Sequence, residues 1–111
     1  MPIDNYLDEL QVRETVESLQ YISNLCEGIA KTECPWRELA QTFLSIYYDA
    51  RDMQKATSEF RKWFASASAQ LLYCGCQKDK KEMRTTARRV NKYDDTIWDA
   101  ALSQINVQTT K

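Results

Sequence analysis

The sequence predicts an all-α fold, a compact and mostly antiparallel bundle of four or five helices in one domain, and three observations carry that prediction. Glycine and proline are scarce, two of each in 111 residues, whereas an antiparallel sheet needs turn residues every ~8–12 positions. Apolar residues recur at gaps of three and four, the period of one helical face. Most of the periodic stretches begin beside a residue able to cap a helix. Hydrophobic residues make up 43% of the chain and charged ones 28%, enough apolar mass for a single core under an ordinary polar surface.

The first helix is expected from Asn5 to Ala30, with Val12, Val16, Leu19, Ile22, Cys26 and Ile29 on its apolar stripe. Asp4 or Asn5 can accept an orphan backbone N–H at its start, and Asp8 and Glu9 face the positive end of the helix dipole. Gly28 lowers helix propensity and marks fraying before Lys31. The outer face carries Asp8, Glu9, Glu14 and Glu17 with only Arg13 against them, so it is acidic.

Pro35 suits the first position of a second helix, because the N–H it lacks would be unpaired there. That helix is expected from Pro35 to Met53, burying Trp36, Leu39, Ala40, Phe43, Ile46, Tyr47 and Ala50. No glycine or proline then occurs until Gly75, so one continuous rod would be compatible with the composition. A break is placed at Lys55–Ser58, with Thr57 or Ser58 as cap and Glu59 in the next first turn. The third helix, Ser58 to Cys74, carries Phe60, Phe64, Ala67, Leu71 and Cys74, widened by Trp63 and Leu72. So broad an apolar surface marks it as the centre of the bundle.

Gly75 is the expected left-handed stop of that helix. Asp79 with Glu82 forms a capping-box pattern that starts a fourth helix ending at Asn91, with Met83, Ala87 and Val90 inward. Asp94 or Asp95 caps a fifth, which buries Trp98, Ala101, Leu102 and Ile105 before a frayed tail at 107–111.

Several chemistries are excluded. The chain has no histidine, which removes imidazole-base dyads and most catalytic zinc sites. Its two glycines are isolated, so there is no phosphate-cradling loop. Glu14 with Glu17, or Asp49 with Asp52, could share a cation at i, i+3, but exposed carboxylates are ordinarily solvated. Cys26, Cys34, Cys74 and Cys76 do not follow finger or knuckle spacings. They are read first as core or reduced thiols, ahead of a disulfide or a structural zinc. No apolar run approaches the roughly 18 residues of a membrane span, and MPIDNYLDEL is too acidic for a secretory signal. The chain is therefore expected in the cytoplasm, of a cell or of a viral or phage host, with no cofactor and no membrane partner.

Charge is the remaining clue. Residues 1–50 carry three bases against nine acids, a net of −6, while residues 51–111 carry twelve against seven, a net of +5. Lys81, Arg84, Arg88 and Lys92 follow gaps of three, four and four, so they form one ridge on the fourth helix, flanked by Lys78, Lys80 and Arg89. The first expectation is that this ridge is solvated or lies against the acidic first helix. The next is that it docks an acidic protein, and the last that it tracks nucleic-acid phosphates. No aromatic residue is interleaved among these bases to stack on nucleotides. Tyr48 and Trp63 fall off the main apolar stripes and are candidate interface anchors. Self-association through the third helix is a further expectation. Together these features point to a small non-enzymatic regulator, inhibitor or adaptor that docks a protein partner, the alternative being a nucleic-acid-binding helical protein.

Overall fold

The computed structural model describes residues 2–72 and 80–109, with the side chains of 7–72 and 81–108. Among the described residues it is all-α, with α1 at Pro2–Ala30, α2 at Arg37–Met53, α3 at Ser58–Leu71, α4 at Lys80–Val90 and α5 at Asp95–Thr109. The expected Gly75 stop, the Asp79 cap, Lys78 and the cysteines Cys74 and Cys76 lie outside the described residues. At 1.5 Å per residue, α1 is about 43 Å long, which accounts for most of the 49 Å long axis.

Successive helices reverse direction. Gln41 early in α2 donates to the Ala30 carbonyl at the end of α1 (3.3 Å), whereas Tyr48, two turns later, reaches back to Glu27. α1 is the spine, with α2, α4 and α5 packed along it, while the backbone of α3 lies against α2 and α4. The expectation of a central α3 is therefore corrected. Its outer side exposes Glu59, Lys62, Ala65, Ala69 and Gln70. Trp63 and Leu72, which widened its apolar stripe, are only half-buried against the core.

The core nevertheless runs through α3. Phe43, Phe60, Phe64 and Trp98 are each 0% exposed. Trp98 meets Phe60 and Phe64 edge-on at centroid distances of 5.6 and 5.1 Å, and Phe43 stacks on Tyr47 at 5.8 Å. Edge-on and offset geometries suit the ring quadrupoles and add to the burial of area. Every residue of the expected stripe of α1 after Val12 is buried, as are Met83, Ala87 and Val90 of α4 and Ile97, Trp98, Ala101, Leu102 and Ile105 of α5.

The connections explain the boundaries. α1 begins at Pro2, with proline in the first turn where its missing N–H costs nothing, so Asp4 and Asn5 fall inside the helix rather than at its cap. It runs past Gly28 to Ala30. α2 begins two residues after Pro35, because Cys34 to Arg37 closes as a turn through Arg37 N–H to Cys34 O (3.2 Å). At the break after α2, Gln54 adopts φ 56° and ψ 37°, the left-handed cap position. Thr57 then caps α3 by accepting from Phe60 N–H at 3.1 Å. Asp99 of α5 ties the break down by accepting from Ala56 N–H at 2.6 Å. Asp94 is the cap of α5, accepting from Ile97 N–H at 3.2 Å. That helix continues past Val107 to Thr109, where Gln108 accepts from Gln20 of α1 at 3.1 Å.

Gln54 is the one non-glycine residue with positive φ among those described. A side chain in that conformation costs about 1 kcal/mol relative to glycine. Gln54→Gly is therefore expected to stabilise the fold by about 0.5–1 kcal/mol, read as a higher urea midpoint at constant slope.

Candidate functional site

α4 places its bases on two different sides. Met83, Ala87 and Val90 face the core. At 100° per residue, Lys81, Arg84 and Arg88 fall on one outer flank, and Glu82, Thr86 and Arg89 on the opposite flank, toward α1, while Lys92 lies past the end of α4, in the turn before α5. The four ridge residues are exposed and form no ion pair among the described residues.

Arg89 behaves differently. Its guanidinium pairs with Glu14 of α1, and the other oxygen of that carboxylate accepts from the Tyr93 hydroxyl at 2.7 Å. Burial works against the charge on Glu14, but the Tyr93 and Arg89 hydrogen bonds and the nearby positive charges outweigh it and hold its pKa below the usual 4.5. The Tyr93 phenol is pushed up to about 12 by burial, by its hydrogen bond to Glu14 and by that carboxylate's charge. Glu14 thus clamps the α4–α5 corner onto α1. With its carboxylate engaged in this way, it does not pair with Glu17 as a cation site, and Asp52 is likewise engaged by Arg51 at 3.0 Å.

The expectation that the ridge is solvated or lies against the acidic first helix divides: Lys81, Arg84, Arg88 and Lys92 are exposed, and among the described side chains only the flanking Arg89 pairs with α1. The sequence spacing puts Lys81, Arg84 and Arg88 on the far side of α4, whereas the helix ends at Val90, before Lys92.

Tyr48 and Trp63 make their contacts elsewhere. Tyr48 is half-buried on the α1–α2 flank, where its hydroxyl donates to Glu27 at 2.7 Å and Arg51 stacks 4.9 Å from its ring. Burial and the Glu27 carboxylate push its phenol up to about 12. Trp63, also half-buried, borders a shallow groove with Trp36, Leu39 and Thr42 of the α2 side. Neither joins the basic ridge in one patch.

Arg61 has a role that the sequence did not signal. It donates to the Tyr93 carbonyl at 2.6 Å, pairs with Asp95 and lies 5.3 Å over the Trp98 ring. An arginine that caps another helix's loop carbonyls depends on tertiary placement, so its own neighbours in sequence gave no sign of it.

Cys26 is buried in the core and Cys34 half-buried at the α1–α2 connection. Among the described residues no three His, Cys, Asp or Glu side chains gather as a metal set, and no helix is long and apolar enough to cross a membrane. The molecule is a small, compact all-helical domain without a recognisable catalytic constellation among the described residues. In comparisons with known proteins, no family model, no curated protein and no solved structure matches the chain.

Proposed function

We propose that this protein is a non-enzymatic interaction module that docks an acidic protein surface on the ridge of Lys81, Arg84, Arg88 and Lys92. One observation carries the reading. These cations have no ion-pair partner among the described residues, although the same short helix directs Arg89 to Glu14. From Lys81 to Arg88 the helical part of the ridge spans about 10 Å, two turns, enough to meet one helix or strand edge of a partner. Unneutralised charge of one sign steers a complementary surface and sets its register. A regulator, inhibitor or adaptor in the cytoplasm of a cell, or of a viral or phage host, is the class this fits.

The test is capture from the native source with wild-type bait and with Arg84→Glu/Arg88→Glu. The expected result is one specific acidic protein retained by the wild type and lost from the variant. A parallel filter-binding titration with DNA and RNA at two salt concentrations separates the alternative. Steeply salt-dependent nucleic-acid binding that vanishes in the same variant would replace the protein partner with a phosphate backbone. Capture of the same protein by both baits would refute the ridge as the docking surface.

A further inference from the structure

A groove of about 380 Å³ runs between the start of α2 and the outer side of α3. Trp36, Glu38, Leu39 and Thr42 line one wall, and Trp63 and Gln70 line the other. We propose that this groove docks a short proline-rich peptide in the extended polyproline II conformation, with a basic residue of the peptide set against Glu38.

Three features converge on that partner. The first is a pair of uncommitted donors. Of the three tryptophans, Trp98 uses its indole N–H inside the fold, on the Val90 carbonyl at 3.1 Å. Trp36 and Trp63 are half-buried, and neither indole N–H is enclosed or hydrogen-bonded among the described residues. Their rings stand apart as well. The aromatic contacts of the core join Phe43, Tyr47, Tyr48, Phe60, Phe64 and Trp98, and neither groove tryptophan takes part in them. An indole nitrogen can only donate, so this surface suits a ligand that brings carbonyl oxygens together with an apolar body.

The second feature is length. A partner helix has its carbonyls paired within itself, whereas a polyproline II segment has no internal hydrogen bonds and its proline rings pack on aromatic walls. Trp63 and Gln70 lie two turns apart on α3, about 10 Å, which matches three residues of polyproline II at roughly 3.1 Å each. The third is charge. Glu38 is the only charged side chain among the described residues lining the groove. It is exposed and has no ion-pair partner among those residues. A lysine or arginine flanking the prolines complements it and fixes the direction of the peptide.

The probe is an acetylated and amidated peptide of five prolines ending in arginine, titrated into ¹⁵N-labelled protein. The indole N–H signals of the tryptophans are the readout. Those of Trp36 and Trp63 are expected to shift saturably at roughly millimolar peptide, while that of Trp98 stays in place. A peptide with glycine for each proline should bind about tenfold more weakly, because it is not preorganised. Trp63→Phe keeps a ring in the wall and should weaken binding about fivefold, the loss of one hydrogen bond. Glu38→Gln, at an exposed position, should weaken the arginine peptide about two- to fivefold and leave a glutamine-ended one unchanged. Equal binding of the glycine peptide, shifts that map to another surface, or no saturable shift through millimolar concentration would each overturn the proposal. So would shifts of Trp36 and Trp63 on dilution of the protein alone, which would assign the groove to a second copy of this chain. Since the groove shares no residue with the ridge, the outcome is independent of whether an acidic protein docks there.

Discussion

Trp98→Ala is expected to cost about 3–5 kcal/mol, a large part of the 5–15 kcal/mol or so that holds a domain of this kind. The ring is 0% exposed and packs edge-on against Phe60 and Phe64, so truncation leaves a cavity where α3 and α5 meet. Its indole N–H also donates to the Val90 carbonyl at 3.1 Å, fastening α5 to the end of α4. Trp98→Phe separates the two contributions. The Val90 carbonyl keeps the Tyr93 N–H at 3.1 Å, so losing the indole donor is expected to cost only about 1–2 kcal/mol. Urea unfolding followed by circular dichroism gives both values. Equal losses in the two variants would mean that the hydrogen bond, rather than the packed ring, holds this corner.

The second large effect is at Glu14. Glu14→Gln removes the charge that Arg89 pairs with and weakens the bond from Tyr93, with an expected cost of about 1–2 kcal/mol, mostly from the Tyr93 bond because solvent screens the half-exposed Arg89. The pH dependence follows from two opposite shifts. Because the carboxyl of Glu14 is held below its ordinary 4.5 in the fold, its contribution is fully present above that value and is lost as pH falls through the lowered pKa. Because the Tyr93 phenol is raised from 10.0 to about 12, its contribution is fully present below 10.0 and is lost as pH rises through about 12. In Glu14→Gln both limbs of the pH–stability profile should flatten. A profile that remains as steep as wild type at both ends would show that other groups carry it.

Much of the fold was legible because the signals are local. The helical period located the cores of all five helices, and Thr57 capped α3 as its short hydroxyl side chain suggested. The misjudged features are those set by packing. The breadth of α3 was read from Trp63 and Leu72, which are only half-buried against the core, and so the longest helix, α1, went unrecognised as the spine. The start of α2 was put at Pro35, two residues early, because a proline-compatible turn and a helical first turn read alike in sequence. For the site, the spacing of Lys81, Arg84 and Arg88 was enough to place them on one flank of α4, but not to show that the helix ends before Lys92. What sequence could not supply was the azimuth of α1 around α4, and that azimuth decides which base is neutralised. It turns Arg89 and Glu82 toward α1 and the ridge away from it.

The division of α4 into a clamped flank and a solvated ridge is tested most directly by comparing the unfolding free energies of Arg84→Gln/Arg88→Gln and Glu14→Gln in urea. Glutamine keeps helix propensity close to that of arginine, so the ridge variant should stay within about 0.5 kcal/mol of wild type, as surface substitutions without internal partners do. Glu14→Gln should lie about 1–2 kcal/mol below. A ridge variant that falls as far as Glu14→Gln would place those arginines in the protein's own charge balance and contradict the proposal that they form a docking surface.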